Sequence, residues 1–337
     1  MSWTVVPAAT LAAHLPRWNA LHAAGAASPL LSADFVAAAL EAFGSGAERL
    51  AWYEEAGRTR VMAILAPARA GRWNTFQPAQ APAGFWLQDD ASSPERYLGG
   101  LLAALPGFPL MLGLTQCDPM LMARPADSDG IRTLDYIDTA RITLAPGFEA
   151  YWQARGKNLR SNLKKQRKRL QTDGIETRLQ VCTAAQDMTA AVADYGRLET
   201  GGWKAAAGSA VSEDNQQGHF YRQLLEAFAR RGAARVYRYW IGERLAAMDL
   251  CVEGGGCLVV LKTAYDEELD KTLSPALLMR EEACRDIFAE PRFDRIEFYG
   301  RVMEWHRRWT DEVRTMYHVN RYRWCVLAKL HKLLAKT

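Results

Sequence analysis

The chain is short of the features that usually announce a chemistry. Its six cysteines, Cys117, Cys182, Cys251, Cys257, Cys284 and Cys325, form no C-x-x-C pair, and no two histidines stand at ligand spacing on a helix. A metal site is therefore not expected. The opening Met-Ser-Trp-Thr-Val-Val-Pro has no charged segment leading into a long apolar core. No apolar run approaches the ~20 residues of a membrane span. The expectation is a cytoplasmic protein with reduced thiols. One-sided charge is missing as well: 42 Lys and Arg stand against 38 Asp and Glu, a net charge of +4. That excess demands no nucleic-acid partner, and DNA is not expected. Gly254-Gly255-Gly256 opens no helix, so it lacks the context of a dinucleotide-binding turn.

What is present is a repeat. Leu40-Glu41-Ala42-Phe43 recurs as Leu225-Glu226-Ala227-Phe228, an offset of 185 that also carries Gly57 to Gly242 and Gly71 to Gly256. Each copy reads as helix, strand, strand, strand, helix, strand. The first runs through helix 33–43, strands 50–54, 59–66 and 73–77, helix 94–105 and strand 110–114. The second runs through helix 219–231, strands 234–241, 244–253 and 257–264, helix 275–288 and strand 295–299. Ser93-Pro94 and Ser274-Pro275 open the second helix of each copy. Strands are also expected at 137–144 and 315–324, and a basic helix at 326–336. A length of 337 residues fits two such units, residues 1–145 and 146–337. The second begins with a helical bridge, about residues 146–205. Hairpins followed by one helical crossover predict a mixed α/β fold and exclude a plain Rossmann alternation. Eleven tryptophans read as core packing.

Candidate site residues fall in the second copy. Lys271-Thr272-Leu273-Ser274-Pro275-Ala276-Leu277 joins a strand to a helix. Ser274 suits the N-cap and Pro275 the first turn. Either this is an ordinary capped helix, or its open amides with Lys271 hold an anion. Lys262 and Asp249 interrupt apolar strands whose counterparts in the first copy are Gln77 and Ile64. Each could face solvent, or Asp249 could be salt-bridged; a carboxylate within a central strand is also a functional candidate. Residues 155–169 hold eight basic residues and no acid. They could be a solvated face or a basic groove wall for a phosphorylated donor, without the aromatics that single-strand binding would need. The basic tail could dock on its own domain or rest on an anionic membrane surface. In the first copy, Pro78 and Pro82 end the third strand early and Glu95 places an acid in the first helical turn. That copy reads as a structural or acceptor-side lobe, although Arg69 and Arg72 are at hand.

The second copy resembles the GNAT-like acyltransferase domain of the CelD and Fem-type proteins. The resembling residues are Glu199-Thr200-Gly201-Gly202-Trp203-Lys204, Lys262-Thr263-Ala264-Tyr265-Asp266-Glu267 and Ser274-Pro275-Ala276-Leu277-Leu278, with the basic stretch from Tyr151 to Leu170. The resemblance implies two tandem GNAT-like lobes, each a central mixed sheet flanked by helices. It implies acyl-CoA in a gap between strands 257–264 and 295–299, with its pyrophosphate at Ser274, Ala276 and Leu277 beside Lys262 and Lys271. Trp203, Lys204 and Asp266 would contact the acceptor. Asp249 or Glu199 would be the base, and Tyr265 or Tyr299 the acid. Where GNAT enzymes have Gly-x-Gly or Gly-x-Ala, this chain has Ser-Pro-Ala. The expected activity is acyl transfer to an amino or hydroxyl group of a polar acceptor, such as a sugar of envelope or exopolysaccharide metabolism. The alternatives are a Fem-type transferase using aminoacyl-tRNA and a non-catalytic binding protein.

Overall fold

A computed structural model describes residues 2–69, 71–200, 211–212 and 215–334. The elements in order are β1 (Ser2–Pro7), α1 (Leu11–Ala24), α2 (Ala33–Phe43), β2 (Arg49–Glu55), β3 (Arg58–Ala68), β4 (Arg72–Thr75), β5 (Trp86–Gln88), α3 (Glu95–Ala104), β6 (Met111–Cys117) and β7 (Ile131–Thr143). They continue with α4 (Phe148–Gln153), α5 (Lys157–Thr172), β8 (Thr177–Cys182), α6 (Met188–Thr200), α7 (Gln216–Arg230), β9 (Ala234–Ile241), β10 (Arg244–Gly254), β11 (Cys257–Tyr265), α8 (Pro275–Phe288), β12 (Arg295–Phe298), α9 (Glu304–Trp309), β13 (Val313–Tyr322) and α10 (Cys325–Leu334). The fold is mixed α/β, as the pattern of hairpins and crossover predicts.

The chain divides into two compact units, Met1–Thr139 with Arg314–Thr337, and Ala140–Val313. This differs from a division after residue 145. β13 pairs antiparallel with β6, from Tyr317↔Cys117 to Tyr322↔Met111, and so takes the chain end into the first unit.

In the first unit β2 pairs with β1 and β3, and β3 with β4, all antiparallel. After α3, β6 pairs with β4 in parallel. The second unit repeats this pattern. β9, β10 and β11 are antiparallel neighbours, and after α8 strand β12 joins β11 in parallel. The repeated order of elements therefore carries a repeated order of pairing. Gly255 and Gly256 form the β10–β11 turn at φ +57° and +69°, the left-handed pair a two-residue hairpin needs.

Local chemistry accounts for several boundaries. Pro275 occupies the first turn of α8, and Leu278, Met279, Ala283, Cys284 and Ile287 bury one face of that helix. Leu159, Leu163, Gln166 and Leu170 do the same on α5, which leaves its lysines outside. The stretch 148–173 is two helices broken near Gly156. β8 escaped the sequence reading because it is a short, half-polar strand outside β9. The early end of β4 predicted from Pro78 is present, and β5 takes over as the partner of β3 at Val61, Met62 and Ala63.

That replacement fills the first unit where the second is open. Gly84 leads into β5 and donates its N–H to the Thr115 carbonyl (3.1 Å). A Cβ there would stand 2.3 Å from Thr75 Oγ1. Only about 30 Å³ remains between the ends of β4 and β6.

α10 packs Leu327 and Ala328 against Met111 and Tyr322. Among the described residues no helix is long and apolar enough to cross a membrane.

Candidate active site

The cleft of the second unit begins with a fault in strand pairing. Along β10 and β11, Leu250 pairs with Lys262 but Cys251 pairs with Val260, so Leu261 is an extra residue. Such a bulge bends a strand and increases its twist. The parallel pairing of β11 with β12 stops at the same place, Val260↔Phe298. Beyond it the two strands part. The resulting cleft of about 620 Å³ is walled by β11, the start of α8, Phe298 and α9.

At the start of α8, Ser274 occupies the N-cap position, but its side chain makes no capping bond. Gln166 of α5 holds it instead. The Ser274 N–H donates to Gln166 Oε1 (2.8 Å), and Gln166 Nε2 donates to Ser274 Oγ (3.4 Å). The expectation of a serine cap is thus corrected: the stabilising side chain comes from another helix. Leu277 and Leu278 both donate to the Ser274 carbonyl, and Pro275 has no N–H. Among the described residues the Ala276 amide is the first-turn donor left over. Ser274, Ala276 and Leu277 all line the cleft.

Lys262 lines it too, with Nζ 3.2 Å from Glu199 Oε1. Glu199 of α6 is buried and also accepts from the Val211 N–H (2.7 Å) and the Tyr195 hydroxyl (3.3 Å). Burial pushes the Tyr195 and Tyr221 phenols up, with Glu199 adding to it. Lys262 Nζ lies 5.8 Å from the Tyr221 ring centre. The lysine therefore does not extend into bulk solvent.

Asp249 has no exposed surface and does not line the cleft. Arg280 Nη1 stands 2.6 Å from its Oδ2, and the Thr263 hydroxyl donates to its Oδ1 (2.5 Å). Burial pushes its carboxyl up, while Arg280 opposes that shift. This is the geometry of an anchor for Arg280, which does line the cleft, and not of a base open to an acceptor.

Tyr265 lines the cleft and is about half exposed. Tyr299 lies between two lining residues, Phe298 and Gly300, without lining the cleft itself. Asp266 turns away to Arg244 and the Glu268 N–H. Lys271 is exposed and outside the lining, so its charge acts at longer range than expected. Trp203 and Lys204 lie outside the described residues.

The sequence reading missed the wall opposite β11. Trp305, His306 and Trp309 of α9 line the cleft with Phe298. His306 stacks on Trp305 (centroids 3.6 Å apart) and meets Phe298 edge to face (5.5 Å). Its Nδ1 accepts from the Met303 N–H (2.9 Å), and its backbone N–H donates to the Met303 carbonyl (3.0 Å). Burial, with Arg280 nearby, lowers its pKa to about 4. A lone histidine between two tryptophans just after a strand was the available signal.

The basic run 155–169 is partly neutralised. Arg167 pairs with Glu281 and Glu282, and Arg169 with Asp173 and Asp270. Lys157, Lys164 and Lys168 remain on a groove of about 800 Å³ along α5. Among the described residues no cluster of three His, Cys, Asp or Glu side chains could hold a metal ion.

Residues 157–307 match the model of a family described as an acetyltransferase (GNAT) domain. No curated protein matches the chain. Among solved structures, the C-terminal domain of a protein described as a lysylphosphatidylglycerol synthetase from Agrobacterium fabrum is similar over 95% of each chain, with a TM-score of 0.54 and 12% identity. A structure described as L-PGS from Bacillus licheniformis covers 87% of this chain and 92% of its own, at 0.52 and 12%. FemX covers 89% and 94%, at 0.56 and 8%. At these identities the likeness is one of fold.

Proposed function

Because residues 157–307 match the model of a GNAT acetyltransferase domain, we propose that the chain transfers an acyl group from acyl-CoA to an amino or hydroxyl group of a polar acceptor, such as a sugar of envelope or exopolysaccharide metabolism. The observation that supports this best is the opening between β11 and β12 at the Leu261 bulge, with the Ala276 amide on its rim. A thioester chain fits such a slot, and a helix start favours its phosphates.

The step is direct. The acceptor lone pair attacks the thioester carbon and the carbonyl electrons move onto oxygen. As the C=O re-forms, the C–S bond breaks and its electron pair leaves on sulfur. The thiolate takes up the proton that the acceptor loses. Glu199, Tyr265 and Tyr299 stay candidates for the proton transfers, with Glu199 tied to Lys262 at the cleft. Lys262 and Lys271 supply positive charge for the donor, and Trp203 and Lys204 contact the acceptor.

Thermal shift with acetyl-CoA tests this reading. A concentration-dependent rise in Tm supports it. No shift with acetyl-CoA or longer acyl-CoAs overturns it, and acyl-CoA binding without turnover on any amine or hydroxyl acceptor indicates a non-catalytic binding protein.

A second reading has its own observation. The lysines of α5 on their groove suit the phosphate backbone of an aminoacyl-tRNA donor. FemX and the C-terminal domain described as a lysylphosphatidylglycerol synthetase share this fold. Aminoacyl-tRNA binding that Lys164→Glu and Lys168→Glu abolish, in a chain that ignores acyl-CoA, would favour it.

The protein is proposed to be cytoplasmic with peripheral contact at the inner membrane. Phe108 and Trp324 are exposed 6.0 Å apart beside Arg323, and Val326 is exposed in the basic helix that follows. Co-sedimentation with anionic vesicles, lost in Trp324→Ser, tests this contact.

A further inference from the structure

We propose that the Nε2–H of His306 is the hydrogen-bond donor to the acyl carbonyl of the bound thioester, and that it holds the negative charge that develops on that oxygen. The proposal rests on the acyl-CoA reading above.

The argument starts from the ring's two nitrogens. The Met303 N–H donates to Nδ1 (2.9 Å), so in the neutral ring the proton sits on Nε2. Nε2 has no protein partner among the described residues, yet it is not among the buried polar atoms sealed from solvent. His306 lines the cleft, which gives this donor a space to open into. Trp309 Nε1, fully buried at the same wall, also lacks a partner among the described residues. This wall has unused donors, and a ligand carbonyl would supply the missing acceptor.

The ring is also fixed in place. Its backbone N–H and its Nδ1 both bond Met303, and it is stacked on Trp305 and packed edge-on against Phe298. Phe298 is the last β12 residue paired with β11, so His306 stands where the strands begin to part. A thioester lying in that gap with its phosphates at Ala276 would present its acyl end on the same side as α9. A fixed neutral donor aimed at a developing oxyanion needs no reorganisation during reaction. An imidazole kept neutral by burial next to the Arg280 charge is suited to donating a hydrogen bond and unsuited to taking a proton near neutrality.

Two variants separate the ring's two bonds. Asparagine keeps an acceptor near the position of Nδ1 and removes the cleft donor; glutamine keeps a donor near the position of Nε2 and removes the cap to Met303. The full-length protein is titrated calorimetrically with acetyl-CoA and with S-ethyl-CoA, the thioether in which CH₂ replaces the carbonyl. The wild type is expected to prefer acetyl-CoA by about three- to tenfold. His306→Asn should lose that preference with S-ethyl-CoA affinity unchanged, and His306→Gln should keep most of it. A folded His306→Asn that retains the preference overturns the assignment. So does a wild type that binds both ligands equally, and in that case the acyl-CoA reading stands. A wild type that binds neither ligand overturns the acyl-CoA reading and this assignment together.

Discussion

Arg280 of α8 and Asp249 of β10 form a buried ion pair, Nη1 to Oδ2 2.6 Å, with both side chains almost wholly removed from solvent. The Arg280 guanidinium continues past the carboxylate to the Phe298 ring, 5.1 Å from its centre. The pair thus joins the middle of the sheet to the wall of the cleft.

Removing one member should be costly. Asp249→Asn leaves the guanidinium buried without its counter-charge, and a loss of about 3–5 kcal/mol in urea unfolding is expected. Replacing both, with Asp249→Leu and Arg280→Met, should restore much of that loss. A loss under about 1 kcal/mol for Asp249→Asn would mean that water reaches the pair.

His306 should give stability a pH dependence of known sign. Its folded pKa is depressed from 6.5 to about 4. Between those values the unfolded chain binds the proton and the folded chain does not, so stability falls as pH drops from about 6.5 to about 4. The gap sets an upper limit of about 3 kcal/mol. The difference in unfolding free energy between wild type and His306→Gln, measured from pH 7 to pH 4, isolates this contribution from the carboxylates. A difference that does not change with pH would show that the ring titrates normally.

The donor should bind once per chain. The second unit has about 620 Å³ at its strand gap, against about 30 Å³ at the corresponding place in the first. Calorimetry with acetyl-CoA should return one site. Ala276→Asp should weaken it at least tenfold while leaving α8 folded, because an acid in the first turn suits the helix dipole and repels phosphate. Gln166→Leu should weaken binding less and destabilise the protein by about 1 kcal/mol, since the Ser274 amide loses its acceptor. Lys271→Glu, exposed and off the cleft, should have a smaller effect that fades with salt. Two equivalents, or one that survives Ala276→Asp, would place the donor elsewhere.

Thiol reactivity should be confined to one position. Cys117, Cys182, Cys251, Cys257 and Cys284 are buried, and Cys325 is exposed. Burial pushes the Cys284 thiol up to about 12, and that of Cys117 higher still. Ellman's reagent should titrate one thiol per native chain rapidly and all six in denaturant. Rapid reaction of two or more would show that the sheet opens readily.

What the sequence determined by itself was local. Pro275 can begin a helix but not continue one from before it, and α8 begins there. Gly255 and Gly256 permit the left-handed turn of the β10–β11 hairpin, and Pro78, which has no N–H, keeps β4 from running on. These choices depend on one or two residues and their immediate neighbours. Site features that required distant partners were not legible. The bulge at Leu261 exists only as a mismatch between two strands, since no residue in an apolar run declares which partner it will skip. The side chain that supports Ser274 lies 108 residues away in Gln166. Asp249 could be reactive or salt-bridged on the sequence alone, and Arg280, 31 residues on, decides it. His306 becomes part of the cleft only because α9 turns back over the end of β12. β13 belongs to the first unit because its pairing with β6 outweighs its place in the sequence. Propensity and turn chemistry act within a few residues. Strand register, burial and charge pairing are fixed only when the whole chain has closed on itself.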